Sequence, residues 1–327
     1  MLKLDKRDKI ILYELDKNAR QPLTKICRKA GLSRESVLYR IKKYFEKGLI
    51  RNYLSVIDMS KLGYTHYKVY LKLHNITEAQ EKILVRELCK NHYISWVASC
   101  DGEFSLIYGI KAKSVVELNH LMKEINSKIW KYVMKQEIST IVDAHHFYRD
   151  YLIGKKGTTE RKIIWGGEIE EIKLDNINIT ILDEIAKNSR VNSVEIAEKI
   201  SISPDTVINR IKRLEKQGVI EHYMIWPDVN NIIGIFYKLL IRLHNLTPQR
   251  EKELIAYCLS NPNIVYLVNS IGSWQFEIDI EIENVENFRE LIRDFMKNFS
   301  GIVSDYSALN IHEEYKFVFF EKEIMKD

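Results

Sequence analysis

The sequence predicts an α+β protein made of two copies of one unit. Each unit is expected to hold a winged helix-turn-helix domain of three helices, followed by a ferredoxin-like βαββαβ domain. Three observations predict this fold. The chain repeats itself, each copy opens with apolar residues at helical spacing interrupted by short turns, and each copy then changes to the alternation typical of strands.

The repeat has an offset of 170 residues. Residues 4–77 align with residues 174–247 without a gap, and about a third of the aligned pairs are identical. Further on, Gly102 aligns with Gly272 and Val133 with Val303. Solenoid repeats have periods of only ~20 to 50 residues, so this pattern indicates duplication of a pair of domains. A chain of 327 residues is long enough for several such domains.

Each copy begins with three predicted helices. Asp5 and Asp175 are candidate caps of the first helix, and the second is expected near residues 24–30 and 193–200. A turn of three residues follows in both copies and ends at Ser33 or Ser203, which are well placed to cap a third helix. Two short helices joined by such a turn, braced by a longer first helix, form the helix-turn-helix pattern.

The remainder of each copy alternates between strands and helices. In the first copy, strands are expected near residues 66–74, 93–101, 103–111 and 135–144, with helices at 77–90 and 114–129. Asp101-Gly102 is a hairpin signal between the second and third of these strands. The two sheets are expected to pack as a pseudo-two-fold pair, within one chain or exchanged between chains.

Between the copies, residues 151–165 are expected to form two apolar strands around a polar turn, so that the linker is structured. The expected domains are helix-turn-helix domains at 1–60 and 171–230, βαββαβ domains at 61–148 and 231–318, a linker at 149–170 and a tail at 319–327.

The third helix carries the candidate DNA-binding residues. Its apolar face packs inward, and its opposite face is rich in Arg, Lys and small polar side chains, which can bond base edges and phosphates in the major groove. A basic helix face is often merely solvated, but a preceding turn, a serine cap and a second occurrence in the repeat favour DNA binding. The candidates are Ser33, Arg34, Ser36, Tyr39, Arg40, Lys42 and Lys43 in the first copy, and Ser203, Thr206, Asn209, Arg210, Lys212 and Arg213 in the second.

These motifs resemble a known family. The runs at residues 4–20 and 33–50 are similar to the amino-terminal DNA-binding domain of the leucine-responsive and asparagine-synthesis (Lrp/AsnC) regulators, and the βαββαβ part resembles their ligand-sensing and dimerising RAM domain. The resemblance covers nearly the whole chain, twice. It implies a transcription factor that associates through its RAM domains. Because an ordinary member has one unit, this chain is interpreted as a covalently fused pseudo-dimer.

The two predicted helix-turn-helix domains, which we call head one and head two, differ in charge. Residues 1–52 contain 15 Lys and Arg against 6 Asp and Glu, whereas residues 171–222 contain 8 against 9. Phosphate contacts supply most nonspecific affinity for DNA, so the first head is expected to be the main anchor. Changing Arg40, Lys42 and Lys43 to Ala should therefore weaken DNA binding more than the equivalent changes in the second copy.

Effector binding is less certain from sequence. The resemblance implies an amino-acid pocket beside a G-x-x-D turn, and its candidate residues here are Asp101, Gly102, Ser105, Gly272 and Gln275. Ser105 and Gln275 replace the acid of the family pattern, and a carboxylate is the natural partner of an ammonium group. An ordinary amino-acid effector is therefore disfavoured.

Two other functions stay open at this point. Proteins with the same two-domain layout resemble siroheme decarboxylases, which makes a tetrapyrrole enzyme one alternative, and an architectural or corepressor subunit that does not read DNA sequence is another. No cofactor is predicted. The four cysteines lack metal-ligand spacing, and the histidines, including His74, His244 and the pair His145-His146, do not form a metal-binding pattern. GKKGTT at residues 154–159 lacks the order of a phosphate loop and is expected to be a hairpin turn.

The bulk composition predicts a soluble protein. The apolar runs are far shorter than the ~18 residues that cross a bilayer, and the start of the chain lacks the features of a signal peptide. The expected location is the cytoplasm, with double-stranded DNA as the main partner and self-association through the RAM-like domains.

Overall fold

The computed structural model describes residues 4–155 and 162–325. The first copy, unit one, consists in chain order of α1 (Lys6–Lys17), α2 (Leu23–Ala30), α3 (Arg34–Glu46), β1 (Ile50–Ile57), β2 (Thr65–Leu73), α4 (Glu78–Lys90), β3 (Ile94–Asp101), β4 (Leu106–Ala112), α5 (Val115–Ile129) and β5 (Val133–Phe147). The predicted helices and strands of unit one are therefore confirmed in their order, and β1 is an additional strand that the sequence analysis did not predict.

Unit two repeats this order after a linking strand. It consists of β6 (Lys162–Gly166) from the linker, then α6 (Asn176–Lys187), α7 (Ser193–Ile200), α8 (Pro204–Lys216), β7 (Ile220–Pro227), α9 (Val229–Ile232), β8 (Ile235–Leu243), α10 (Pro248–Ser260), β9 (Ile264–Ile271), β10 (Phe276–Ile282), α11 (Val285–Phe299) and β11 (Val303–Phe317). Short α9 stands where unit one has a 3₁₀ turn at Met59–Lys61.

The turn before the third helix has the predicted chemistry. Gly31 follows α2 with a φ of 60°, a conformation that favours glycine, and Ser33 then caps α3 by accepting a hydrogen bond from the backbone N–H of Ser36. In unit two, Ser201 takes the left-handed conformation, Ser203 is the cap, and Pro204 occupies the first turn of α8. Both third helices therefore start at a fixed position.

The heads are joined by a two-stranded ribbon. β1 of unit one pairs antiparallel with β7 of unit two, with Leu54 opposite Met224 near its centre. We call this pair of strands the ribbon. Each first helix also packs on the strand of the other unit, α1 on β7 and α6 on β1. The heads are therefore interlocked rather than independent.

The remaining strands close into a barrel. Within unit one the strands lie in the order β5-β2-β4-β3, and within unit two in the order β11-β8-β10-β9. β3 pairs with β11 and β5 pairs with β9, both antiparallel, so the two sheets join edge to edge on both sides. β6 adds to β5 outside this ring. The pseudo-two-fold pairing of the sheets is thus formed within one chain, as a continuous hydrogen-bonded barrel.

The barrel has an apolar outer layer and a mixed interior. Alternate residues of β4, such as Tyr108 and Ile110, pack under α4 and α5, while the intervening residues point into the barrel. β10 behaves in the same way, with Ile278 and Ile280 packed under α10 and α11. The interior therefore receives every second residue from both units, and it contains charged side chains as well as aromatic ones.

The linker differs from its prediction. Residues Asp150–Ile153 form a 3₁₀ turn rather than a strand, and only β6 is extended. The reason is that buried Arg149 and half-buried Tyr151 bond to Glu281 of β10 and hold the chain in a turn against the barrel. Residues 156–161, which include most of the predicted hairpin turn at 154–159, lie outside the described residues.

Candidate nucleic-acid interface

The outward face of α3 is exposed and basic. Arg34 and Lys42 are exposed, and Tyr39 exposes 68% of its surface. Ser36 and Lys43 are half-buried on the flanks of the same helix. The inward face is closed by Val37, Ile41 and Tyr44, all buried. The predicted division of α3 into a core face and a solvent face is therefore observed.

Arg40 is engaged within the head. Its Nη1 lies 2.9 Å from a carboxylate oxygen of Asp5 and also pairs with Asp8, which accepts a second hydrogen bond of 2.7 Å from the hydroxyl of Tyr44. The Asp8 hydrogen bond is the main cause that raises the pKa of Arg40 above its ordinary value. Arg40 therefore joins α3 to the start of α1, and its charge is compensated before any DNA arrives.

Arg210 occupies the equivalent position and has the equivalent role. Its Nη1 lies 2.7 Å from Asp175 and 3.0 Å from the side-chain oxygen of Asn178, both in or next to the first turn of α6. Two of the predicted DNA-binding residues thus also hold the helix-turn-helix together. The signal was in the sequence, since Asp5 and Arg40 recur as Asp175 and Arg210 at the repeat offset.

Two of the serine candidates, Ser33 and Ser203, are helix caps. The Oγ of Ser33 accepts from the Ser36 backbone N–H at 3.2 Å, and the Oγ of Ser203 accepts from the Thr206 backbone N–H at 3.1 Å. Thr206 also shares a hydrogen bond of 2.8 Å with Ser203 through its hydroxyl. These hydroxyls fix the start of α3 and α8, where side chains at the beginning of a recognition helix meet base edges.

The outward face of α8 is exposed but less basic. Thr206, Asn209, Lys212 and Arg213 are exposed, together with Asp205 in the first turn. The second helices differ more sharply. Lys25 and Arg28 of α2 are exposed, and the equivalent residues of α7 are the exposed acids Glu195 and Glu198. The charge difference between the heads therefore lies on the surface beside the recognition helices.

A pair of arginines that sequence reasoning did not single out joins the heads. Nη1 of Arg20 donates to the carbonyl oxygens of Ser189 at 2.6 Å and Val191 at 2.9 Å in the other head. Arg190 donates in return to the carbonyl oxygen of Ala19. Each arginine also lies about 5.5 Å from a tyrosine ring of the ribbon. The signal was the Asn-x-Arg sequence, which ends the first helix in both copies.

The predicted effector residues lie where the two sheets meet. The side chains of Ser105 and Gln275 accept hydrogen bonds from the backbone N–H groups of Leu73 and Leu243, at 3.3 and 2.8 Å. These bonds give the side chains a structural role at the ends of β2 and β8. Gly102 has a φ of 127°, and a Cβ there would lie 2.9 Å from the carbonyl oxygen of Ala308 in β11.

The other two effector candidates occupy related positions. A Cβ at Gly272 would lie 3.0 Å from the carbonyl oxygen of Ile138 in β5, and Asp101 pairs with His312 at 2.6 Å. The two turns therefore pack symmetrically on the opposite unit. Their role in holding an effector stays a prediction.

Two interlocked heads with exposed third helices define a winged helix-turn-helix DNA-binding protein. The winged helix-turn-helix DNA-binding family matches residues 4–51 and 174–221, once in each unit. The HTH-type transcriptional regulator LrpA of Pyrococcus abyssi is 35% identical over 131 residues, which are 39% of this chain and 87% of that protein. LrpA of Pyrococcus horikoshii is 40% identical over 95 residues, 28% of this chain and 67% of that protein.

The chain belongs to the Lrp/AsnC family of transcriptional regulators, as its motifs predicted. Solved structures of a siroheme decarboxylase resemble it over both units. The siroheme decarboxylase NirDL, in complex with an iron-uroporphyrin III analogue, has a TM-score of 0.62, with 98% of each chain covered and 14% identity. This likeness establishes the shared arrangement of two heads and two sheets. Among the described residues, none of the helices combines the length and the apolar character needed to cross a membrane.

Proposed function

We propose that this protein is a sequence-specific transcriptional regulator that binds double-stranded DNA as a covalently fused pseudo-dimer, with head one as the main anchor. The observation that carries this proposal is the exposed basic face of α3, set on a head that is locked to a second head of the same design. Membership of a family of DNA-binding regulators supports it.

The side chains divide into two roles. Arg34, Ser36 and Tyr39 lie in the first half of α3, where a recognition helix meets base edges in the major groove. Lys42 and Lys43 lie further along the helix, and Lys25 and Arg28 lie on α2, where they can neutralise phosphates. Head two keeps Lys212 and Arg213, but on α7 it has Glu195 and Glu198 where α2 has Lys25 and Arg28. We therefore propose that head two reads a weaker or different half-site.

Fusion of the units changes how the second half-site is engaged. Once head one is bound, contact by head two is intramolecular, with an effective concentration that reaches the mM range for short connections. The ribbon and the arginine pair fix the heads relative to each other. Half-sites read by a two-fold pair of heads are typically about 34 to 36 Å apart, and we propose that the operator has two such half-sites. The protein should therefore act without a dimerisation equilibrium.

The test is a comparison of paired lysine and arginine substitutions. Binding to duplex genomic fragments should be measured by fluorescence anisotropy between about 50 and 200 mM salt. We expect Lys42→Ala with Lys43→Ala to lower affinity about 10- to 100-fold and to reduce the salt slope by about 2, because up to two phosphate contacts are lost. Lys212→Ala with Arg213→Ala should have a smaller effect.

Lys123→Ala with Lys128→Ala is the matched control, because it removes the same charge from exposed positions on α5, on the outside of the barrel. Equal losses in the two heads would overturn the proposed asymmetry. An equal loss in the α5 control would overturn α3 as the DNA-binding face. No binding at low salt would overturn DNA binding and favour an architectural or corepressor role. Footprints of unequal halves would identify the half-site of each head.

Tetrapyrrole decarboxylation is the activity that the likeness to NirDL raises, and the interior of the barrel does not favour it. The cavity that contains His66 and Lys68 has a volume of about 90 Å³. An engineered cavity of about 150 Å³ is filled by a single benzene ring. A macrocycle of four five-membered rings needs far more space than this. A visible absorption band induced by siroheme would contradict this conclusion.

A further inference from the structure

The cavity lies inside the barrel, beneath the ribbon, and both units contribute to its wall. Aromatic side chains form much of this wall, notably Trp96, Trp165, Trp226 and Tyr266, and Met224 and Ile225 of the ribbon complete it. His66, also in the wall, is five residues along β2 from Leu71, whose partner Leu106 follows the predicted effector turn. Because a strand extends about 3.3 Å per residue, His66 lies well away from that turn. The cavity is therefore separate from the predicted effector site.

The charged side chains of the wall already have partners within the protein, Glu314 through the indole N–H groups of Trp96 and Trp226 and the others through ion pairs. Lys68 bonds to Glu277, Lys238 bonds to Asp279, and Arg149 lies 2.7 Å from Glu281. A charged ligand would therefore add an uncompensated charge to a buried space, which is strongly unfavourable. The wall is suited to an uncharged molecule.

Two polar atoms of the described wall residues have no hydrogen-bond partner. His66 Nε2 and Trp165 Nε1 are both buried, and neither has a hydrogen-bond partner within the described part of the chain. Their rings are 5.1 Å apart. Burial, followed by the nearby charges of Lys111 and Lys68, lowers the pKa of His66 to about 3, so its ring is neutral near pH 7. A neutral imidazole nitrogen can accept or donate, whereas an indole N–H only donates.

The repeat shows that the fold does not require a polar group at this position. The residue equivalent to His66 in unit two is Phe236, which lines the same cavity. A buried polar atom without a partner costs about 1 to 3 kcal/mol, and phenylalanine would avoid that cost. The histidine in unit one is therefore better explained by something that enters the cavity.

We propose that this cavity binds a small, uncharged, planar molecule with a hydrogen-bond acceptor, such as an azole with a single ring of about five heavy atoms. The acceptor atom of the ligand accepts a hydrogen bond from the indole N–H of Trp165. A neighbouring polar atom of the ligand forms a hydrogen bond with Nε2 of His66. The aromatic walls contact the faces of the ring.

A ligand in this cavity would contact the ribbon that joins the heads. Glu314 of β11 accepts hydrogen bonds from Nε1 of Trp96 at 2.6 Å and from Nε1 of Trp226, in the ribbon, at 3.1 Å. Arg51, also in the ribbon, donates to the carbonyl oxygen of the same glutamate. The ligand should therefore alter DNA affinity through the position of the ribbon. This second step rests on the proposed function, and ligand binding itself does not.

Pyrazole is a suitable probe, because it is planar, uncharged near neutral pH, and carries one donor beside one acceptor. The full chain should be titrated with pyrazole, with tryptophan fluorescence and ligand-observed NMR as readouts. We expect saturable binding that weakens about 10-fold in His66→Phe and in Trp165→Phe, the loss of about one hydrogen bond. Trp130→Phe, which changes a tryptophan exposed outside the barrel, should bind pyrazole normally.

Imidazole at about pH 5.5 is the charged control, because a ring with the pKa of histidine is mostly protonated there, and it should bind far more weakly than pyrazole. Thermal unfolding of His66→Phe and Trp165→Phe checks that each variant folds. If one of them does not fold, the other is sufficient for the test. Absence of saturable pyrazole binding, or equal binding by the wild type and both variants, would overturn the site. If pyrazole binds but leaves DNA affinity unchanged, only the coupling is overturned.

Discussion

Units one and two share one fold but carry different charges on the inner faces of their sheets. On the fourth strand, unit one directs Ile107, Gly109 and Lys111 into the barrel, whereas unit two directs Glu277, Asp279 and Glu281 from the same positions. Arg149 just beyond β5 corresponds to Phe319 beyond β11. Lys68 and Arg149 of unit one thus pair with Glu277 and Glu281 of unit two.

This difference explains which sheets pair. In a barrel made from two copies of unit two, six acids would face each other with two lysines, and burial of unpaired charge is strongly unfavourable. Two copies of unit one would bury lysines and arginines without acids from the fourth strand. Opposite charges therefore favour the pairing of unit one with unit two over like pairs, a form of specificity that separate identical protomers cannot have.

The heads differ in charge in the same sense as the sheets, with basic residues in unit one and acids at the equivalent positions of unit two. Lys25 and Arg28 on α2 of unit one face solvent, and Glu195 and Glu198 take their places in unit two. Because one chain always contains both units, a loss of DNA affinity in one head can be offset by the other. The two copies therefore differ in charge at equivalent surface positions of their heads.

The largest expected effect comes from replacing Glu277 with the residue that unit one has at that position. Glu277 is fully buried and bonds to Lys68, while Lys238 lies 3.5 Å away. Glu277→Ile leaves Lys68 buried without its acid, so we expect the free energy of unfolding to fall by about 3 to 5 kcal/mol, measured by urea denaturation. The double variant with Lys68→Leu should recover part of this loss. A double variant no more stable than the single one would show that the charge pair is unimportant.

A pH-dependent effect is expected at Lys111, which also distinguishes the units. Lys111 is fully buried, and its Nζ donates to the carbonyl oxygen of Phe319 at 3.0 Å. Burial is the main cause that lowers its pKa to about 7. Since its pKa in the unfolded chain is near 10.4, the unfolded state binds more protons between these values, and stability rises with pH in that window.

We therefore expect Lys111→Met to remove this rise. Between about pH 7 and about pH 9, the wild type should gain about 2 kcal/mol of unfolding free energy relative to the variant, measured by urea denaturation at each pH. Lys123→Met, which removes an exposed lysine, controls for the loss of charge. Parallel pH profiles for the wild type and Lys111→Met would contradict a neutralised lysine in the barrel.

The sequence predicted local features of the fold well, because they depend on neighbouring residues. The caps at Ser33 and Ser203, the three-residue turns that end at them and the alternation of β4 follow from local chemistry and spacing. The first linker strand was predicted wrongly, because long-range bonds from Arg149 and Tyr151 to Glu281 override the local apolar pattern. Closure of the barrel could not be predicted from the sequence either. It depends on the pairing of β3 with β11 and of β5 with β9, which are far apart along the chain.

The candidate interface was predicted as a face, but the individual roles were not. Arg40 and Lys42 look alike in the sequence, yet Arg40 is paired with acids of α1 and Lys42 is exposed. A repeat offers one usable signal for this distinction. A charged residue that recurs together with an opposite charge, as Arg40 with Asp5 and Arg210 with Asp175 do, is a candidate for a structural ion pair. Lys25 and Arg28, which change sign between the copies, are candidates for divergent function.

The smallest expected effect tests this distinction within the heads. Arg40 contacts two carboxylates, one of them on the nearly buried Asp8, whereas Arg210 contacts one exposed carboxylate, on Asp175. We expect Arg40→Ala to cost about 1 to 2 kcal/mol of unfolding free energy and Arg210→Ala less than about 1 kcal/mol, measured by urea denaturation. Neither change should alter the salt slope of DNA binding, because neither arginine is free to neutralise a phosphate. A slope reduced by about 1 in Arg40→Ala would instead identify Arg40 as a phosphate contact that leaves Asp8 when DNA binds.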